Sequence, residues 1–278
     1  MTTDWHHCTV EFTDPAAAER VAATDLGPAL TTAQDSGLLH GWWYTRKRRD
    51  WRLRYHAERP AVVTDLLDNL AAAGRIIGWA PGVYEPETVA FGGDAAMGIA
   101  HELFCHDSRH LLLHIGEPAS PSLGRRETST VLCSVLLRGA GLDWYEQGDV
   151  WAKVAELRPN GPSTTALPPE RARVLAQAMR RLMTVDARAL CAPASGALTG
   201  QDRWVAAFEN AGQALAELAR QGRLRRGLRA ILAHHVIFHA NRAGLSLAHQ
   251  STLAALALNN VFADSDDPVS LPTNTEET

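Results

Sequence analysis

The chain has 278 residues, 27 of them basic and 31 acidic, for a formal charge of -4, which is enough length for a full core and too little positive charge to suggest nucleic acid. Its four cysteines, Cys8, Cys105, Cys133 and Cys191, are scattered without a C-x-x-C pair, which excludes a zinc ribbon, a thioredoxin-type site and a disulfide scaffold. No run of about 18 apolar residues predicts a membrane span, and no basic segment followed by an apolar one opens the chain, so a soluble, reducing, cytoplasmic setting is expected.

The first part reads as mixed strand and helix. Trp5 to Phe12 is strand-like. Pro15 to Ala23 is a helix with Asp14 as N-cap and Pro15 at its first position. Leu38 to Arg46 and Trp51 to His56 form a strand–turn–strand pair joined by Lys47-Arg48-Arg49-Asp50. Ala61 to Ala73 is a helix stopped near Gly74, and Trp79 to Glu85 is a short strand marked by Pro and Gly. This alternation predicts an antiparallel sheet with helices on one face. From Asp94 onward the pattern is helical: Asp94 to Phe104, then Ser108 to Ile115 with Asp107 as cap, then Thr128 to Gly139 and Trp144 to Leu157. Arg158 to Pro169 reads as a loop. Helices follow at Pro169 to Met183, Asp202 to Gln221, Leu224 to Ala243 and Leu247 to Phe262. The expected class is α+β, one domain over 1–263, with a disordered acidic and polar tail over 264–278.

Arg52 and Arg54 stand two apart in the strand Trp51-Arg52-Leu53-Arg54-Tyr55, so both guanidiniums leave the same face. Such a pair is either a solvated face, its stems covering apolar neighbours, or a pair of planar donor forks for a ligand rich in carbonyls or carboxylates. Basic residues also cluster at Arg46-Lys47-Arg48-Arg49, Arg125-Arg126, Arg180-Arg181 and Arg220, Arg223, Arg225, Arg226, Arg229. These are solvated faces or receivers of an acidic peptide.

His101 and His106 are five apart in His101-Glu102-Leu103-Phe104-Cys105-His106, one residue more than the helical zinc motif uses, and splay by about 140°. His106, His110 and His114, and His235 and His239, do have helical i, i+4 spacing. A zinc site needs further ligands, so no metal is expected. No nucleophile elbow, phosphate loop or dinucleotide fingerprint occurs, and Phe91-Gly92-Gly93-Asp94 is too short to cradle a phosphate. Asp107-Ser108-Arg109 reads as a helix start, or places Ser108 or Arg109 at a cleft rim. Asn241-Arg242 reads as capping before Gly244, or presents His239 for proton transfer.

Taken in order, Trp42-Trp43-Tyr44-x-Arg46, Trp51-Arg52-Leu53-Arg54-Tyr55, Val83-Tyr84-Glu85-Pro86-Glu87, Phe91-Gly92-Gly93, Leu103-Phe104-x-x-Asp107-Ser108 and His239-x-Asn241-Arg242 resemble the elimination-type domain at the C-terminus of lantibiotic dehydratases. That domain also occurs alone in thiopeptide biosynthesis, and the resemblance runs from about Trp5 to Phe262. It implies two chemistries. One eliminates glutamate from glutamylated Ser or Thr, with arginines at the places of Arg52 and Arg54 and a third just before the aromatic-Gly-Gly element. Here Ala90 stands at that third place. The other is pyridine synthesis, a formal [4+2] aza-cycloaddition between two dehydroalanines, with loss of water and of the leader peptide. The departure at Ala90 favours the second. A non-catalytic leader-binding partner is the reading from another class.

On this resemblance the expected catalytic residues are Arg52, Arg54, Ser108 and His239. The expected substrate-binding residues are Trp43, Tyr44, Arg46, Trp51, Tyr84, Glu87, Asn241 and Arg242. No cofactor is expected. The implied partner is an azole-containing, dehydrated precursor peptide with its leader, with no nucleic acid or membrane, and a homodimer is compatible with the sequence.

Overall fold

The computed structural model describes residues 5–47, 50–116, 123–159, 168–193 and 197–262. The connecting Arg48 and Arg49 and the tail 264–278 lie outside the described residues. Within the span taken as one domain from sequence, the chain divides into two compact units, Met1–Glu87 with His101–Ser120, and Thr88–Ala100 with Pro121–Thr278. The class is α+β, as the sequence predicts.

The first unit opens with β1 (His6–Glu11) and α1 (Pro15–Val21), where the Asp14 carboxylate accepts from the Ala17 N–H and Pro15 sits at the helix start. A π-helical turn, Ala22–Leu26, leads straight into α2 (Gly27–Asp35), and the Gly27 N–H reaches back to the Ala22 carbonyl. β2 (Gly41–Lys47) and β3 (Asp50–His56) form the hairpin, α3 (Ala61–Ala72) follows, and β4 (Gly78–Gly82) completes an antiparallel sheet of order β2-β3-β1-β4. One face of that sheet carries Cys8, Val10, Trp42, Tyr44, Trp51, Leu53 and Tyr55. It packs on Ala18, Leu26 and Leu30 of the α1–α2 segment and on Val63, Leu67 and Leu70 of α3.

α4 (Asp94–Gly116) is one continuous helix of 23 residues, where the sequence suggests a break before Ser108. Asp107 and Ser108 are fully buried within it, so neither serves as a helix start. The cap-forming pattern is real, but the Ser108 hydroxyl is taken up by a contact across the chain, the Tyr44 N–H. The residues of α4 through Ala100 belong to the second unit and the rest to the first.

The second unit continues with α5 (Arg125–Gly139), α6 (Trp144–Leu157), α7 (Pro169–Thr184), α8 (Ala187–Cys191), α9 (Asp202–Arg220), α10 (Leu228–Arg242) and α11 (Leu247–Phe262). α5 is buried all round from Thr128 to Leu137, the mark of a central helix. It packs against α9, α7 and α10. α6 begins with a complete capping box, Asp143 and Glu146. Among the described residues no helix is long and apolar enough to cross a membrane.

Candidate functional site

The strand register decides which side chains meet. Arg54 lies opposite Trp43 on β2 and His7 on β1, and Arg52 opposite Thr45 and Thr9. These six share the face turned away from the α1–α3 core, because side chains alternate along a strand. The Arg54 guanidinium lies over the Trp43 ring at 4.5 Å and the Tyr84 ring at 5.4 Å. Its Nη1 donates to Thr45 Oγ1 at 2.7 Å and to the Arg52 carbonyl at 3.2 Å. The residue is only 5% exposed, so these contacts fix the fork in place. Arg52, half-buried beside it, has a guanidinium that meets no acceptor or carboxylate among the described residues.

Around Arg54 stands an aromatic wall. The Trp43 ring meets Tyr84 at 5.6 Å, His101 at 6.0 Å and Phe104 at 5.0 Å, and Trp5 meets His101 at 4.9 Å. The Trp43 indole N–H is buried without a hydrogen-bond partner among the described residues. Tyr84 Oη and His101 Nε2 are 2.8 Å apart. Burial, and then the carboxylate of Glu87, raises the Tyr84 pKa, while burial, and then the charge of Arg54, pushes His101 down to about 4. Both groups are therefore neutral at pH 7. The neutral arrangement has the phenol O–H donating to imidazole Nε2. Burial, partly offset by a hydrogen bond to the Val83 carbonyl, also lowers the pKa of His7.

The other expected site residues fall elsewhere. Tyr44, Arg46 and Trp51 point to the opposite face, since they alternate with Trp43, Thr45 and Arg52. Tyr44 and Trp51 stack at 4.4 Å, and Arg46 lies 4.6 Å over Trp51 while pairing with Glu19. Glu87 is exposed near Tyr84. Ser108 Oγ accepts the Tyr44 N–H at 3.2 Å. β2 is an edge strand, so this bond ties α4 along an otherwise open row of donors.

His239, Asn241 and Arg242 lie in the helical unit. His239 Nε2 is 2.9 Å from Ser129 Oγ and packs against Phe208 at 5.2 Å. Asn241 Oδ1 accepts from Gln250, whose own carbonyl accepts from Arg158. Arg242 is fully buried. Among the described residues no group of three or more His, Cys, Asp or Glu side chains is placed to hold a metal.

His101 and Phe104 are the members of the cluster that the sequence reading missed. His101 drew notice there only as a zinc ligand. The usable signal is the stripe His101, Phe104, Ser108 at i, i+3 and i+7, one face of a helix that meets β2.

The family of the lantibiotic biosynthesis dehydratase C-terminal region matches residues 5–261. No match is found among the curated proteins. Among solved structures, the tRNA-dependent lantibiotic dehydratase MibB from Microbispora sp. 107891 is similar at TM-score 0.63 and 18% identity, over 92% of this chain and 28% of that one. This chain thus spans little more than a quarter of the MibB chain. TsrL is similar at TM-score 0.60 and 17% identity, over 92% of this chain and 94% of that one. The pyridine synthase TbtD from thiomuracin biosynthesis is similar at TM-score 0.59 and 11% identity, over 92% and 97% of the two chains. At such identities the likeness is one of fold.

Proposed function

We propose, from the premise that this chain belongs to the lantibiotic biosynthesis dehydratase C-terminal family, that it is a pyridine synthase acting on a dehydrated, azole-containing precursor peptide. It joins two dehydroalanines by a formal [4+2] aza-cycloaddition. The carrying observation is the cluster of Arg54, Trp43, Tyr84 and His101 on one sheet face, with Arg52 beside it.

The reaction begins when the amide N–H of one dehydroalanine gives up its proton and the neighbouring carbonyl oxygen gains one. The resulting imidic C=N–C=C unit adds across the C=C of the second dehydroalanine, closing a six-membered ring. Loss of water from the former carbonyl carbon and of the leader as its amide leaves the aromatic pyridine. Tyr84 gives its phenol proton to the carbonyl oxygen, neutral His101 takes the amide N–H proton at Nε2, and His101 passes it across 2.8 Å to the phenolate, which restores both groups. Arg52 and Arg54 orient the amide carbonyls, and Trp43 offers a flat wall for azole rings. Ser108 positions β2 through the Tyr44 N–H. His239, Asn241 and Arg242 shape the helical unit. Most of the acceleration comes from bringing two distant residues of a flexible chain together, an effect worth about 7–11 kcal/mol when orientation is good.

The guanidinium of Arg52, which meets no acceptor among the described residues, favours one competing reading, elimination of glutamate from a glutamylated precursor. Ala90 weighs against it, since the resemblance places a third arginine there. Incubation with a leader-bearing precursor holding two dehydroalanines separates the readings. The synthase releases intact leader and a dehydrated macrocycle, seen by mass spectrometry. An unchanged mass with bound leader contradicts it, and loss of glutamate from a glutamylated precursor supports the lyase.

A further inference from the structure

The arginine clusters of the sequence separate in the structure by what they touch. Arg46 pairs with Glu19, Arg220 with Glu217, and Arg229 with Glu146 and Asp149. Arg180 lies 5.0 Å over the Trp144 ring. Arg223, Arg225 and Arg226, three cations within four residues of the α9–α10 connection, meet no carboxylate among the described residues. Acidic residues outnumber basic ones in this chain, 31 to 27, so the lack of a partner here is not a shortage of acids. Like charges this close repel one another unless an anion lies between them.

The connection is also held firmly. The Arg225 N–H donates to the Gly92 carbonyl at 2.9 Å, and Arg226 Nη1 donates to the Ala90 carbonyl at 3.1 Å. On the other side the Thr88–Gly93 turn closes on itself through Gly93 N–H to Thr88 O at 2.8 Å. Gly92 has φ +87, and a side chain there would run into Ile231 of α10, so the turn and the connection fit as one piece. The arginine fork at 226 is therefore fixed before any ligand arrives, which lowers the ordering cost of binding. Val89, 87% exposed, adds an apolar contact on the same turn.

We propose that Arg223, Arg225 and Arg226, braced on the Thr88–Gly93 turn, form the docking site for an acidic peptide segment. That this segment is the precursor's leader rests on the pyridine synthase reading, whereas the binding of acidic peptide does not. The test uses fluorescence anisotropy of a dye-labelled octaglutamate peptide with the full chain, its Arg223→Gln/Arg225→Gln/Arg226→Gln variant and an Arg180→Gln/Arg181→Gln control. Circular dichroism and thermal melting of each protein run alongside. The triple variant weakens binding by about tenfold or more, the control stays near wild type, and added salt weakens the wild-type complex. No binding by the folded wild-type chain overturns the proposal, as does equal loss in both variants, the sign of non-specific attraction. Octaglutamate binding without turnover of a precursor leaves docking standing and counts against the enzymatic reading alone.

Discussion

A phenol whose pKa is raised by burial and an imidazole whose pKa is lowered by burial stay neutral together at pH 7, and Tyr84 and His101 are such a pair. Tyr84→Phe keeps the ring against Trp43 and Arg54 and removes only the hydroxyl. It lowers turnover by about 10²–10⁴-fold, the range for a general acid–base group. Its melting temperature moves by no more than about 2–4 °C, the shift of 1 kcal/mol in a chain of this size. A second consequence is pH dependence. His101 takes a proton near the ordinary 6.5 when unfolded and only near about 4 when folded, because of burial and then Arg54. Between those values the unfolded state binds more protons, so this contribution is whole above pH 6.5 and is lost as pH falls toward about 4. Melting curves across that window fall with pH in the wild type and fall less steeply in His101→Gln. Equal slopes contradict the assignment. Arg52 and Arg54 differ too. Arg52→Gln costs activity with a normal melt, since its guanidinium makes no internal bond among the described residues, while Arg54→Gln loses both its stacking and its bond to Thr45.

Elements explain why parts of the site were legible and parts were not. The period of two in β3 placed Arg52 and Arg54 on one face directly from the sequence. The same rule separates Trp51 and Arg46 from them, which the motif-based reading of the site passed over. The segment 24–37 carried no prediction, and the structure fills most of it with helix that runs through Gly27-Pro28. A π-helical turn absorbs that pair, with the Gly27 N–H satisfied five residues back. The break expected at Asp107 also fails to occur, because Ser108 is used across the chain at the β2 edge. Ser108→Ala leaves the buried Tyr44 N–H without that acceptor, at a cost of about 1–3 kcal/mol in denaturant unfolding. An unchanged midpoint denies the edge-tying role. In the helical unit, Gly212 of α9 lies against α5 so closely that a methyl group would collide with the Leu136 carbonyl. Gly212→Ala therefore destabilises by more than the helix propensity gain of about 1 kcal/mol that alanine brings, and a rise in stability counts against this packing.

At the scale of the molecule, two units with different chemistry share one chain. The first presents a buried cation, an aromatic wall and the neutral Tyr84–His101 pair, and the second presents Arg223, Arg225 and Arg226, which meet no carboxylate among the described residues. A pyridine-forming enzyme needs both kinds of surface, one to hold the reacting amides and one to hold the rest of a long peptide. The chain's family and α+β class followed from motif order and periodicity, whereas the pairing of Tyr84 with His101 needed the folded strand and helix. The most direct test is mass spectrometry of a leader-bearing precursor with two dehydroalanines, incubated with the wild type and with Tyr84→Phe. The account predicts free leader and a macrocycle lighter by one water in the wild type, with both products sharply reduced in Tyr84→Phe. Unchanged precursor with the folded wild type, or full turnover by Tyr84→Phe, contradicts it.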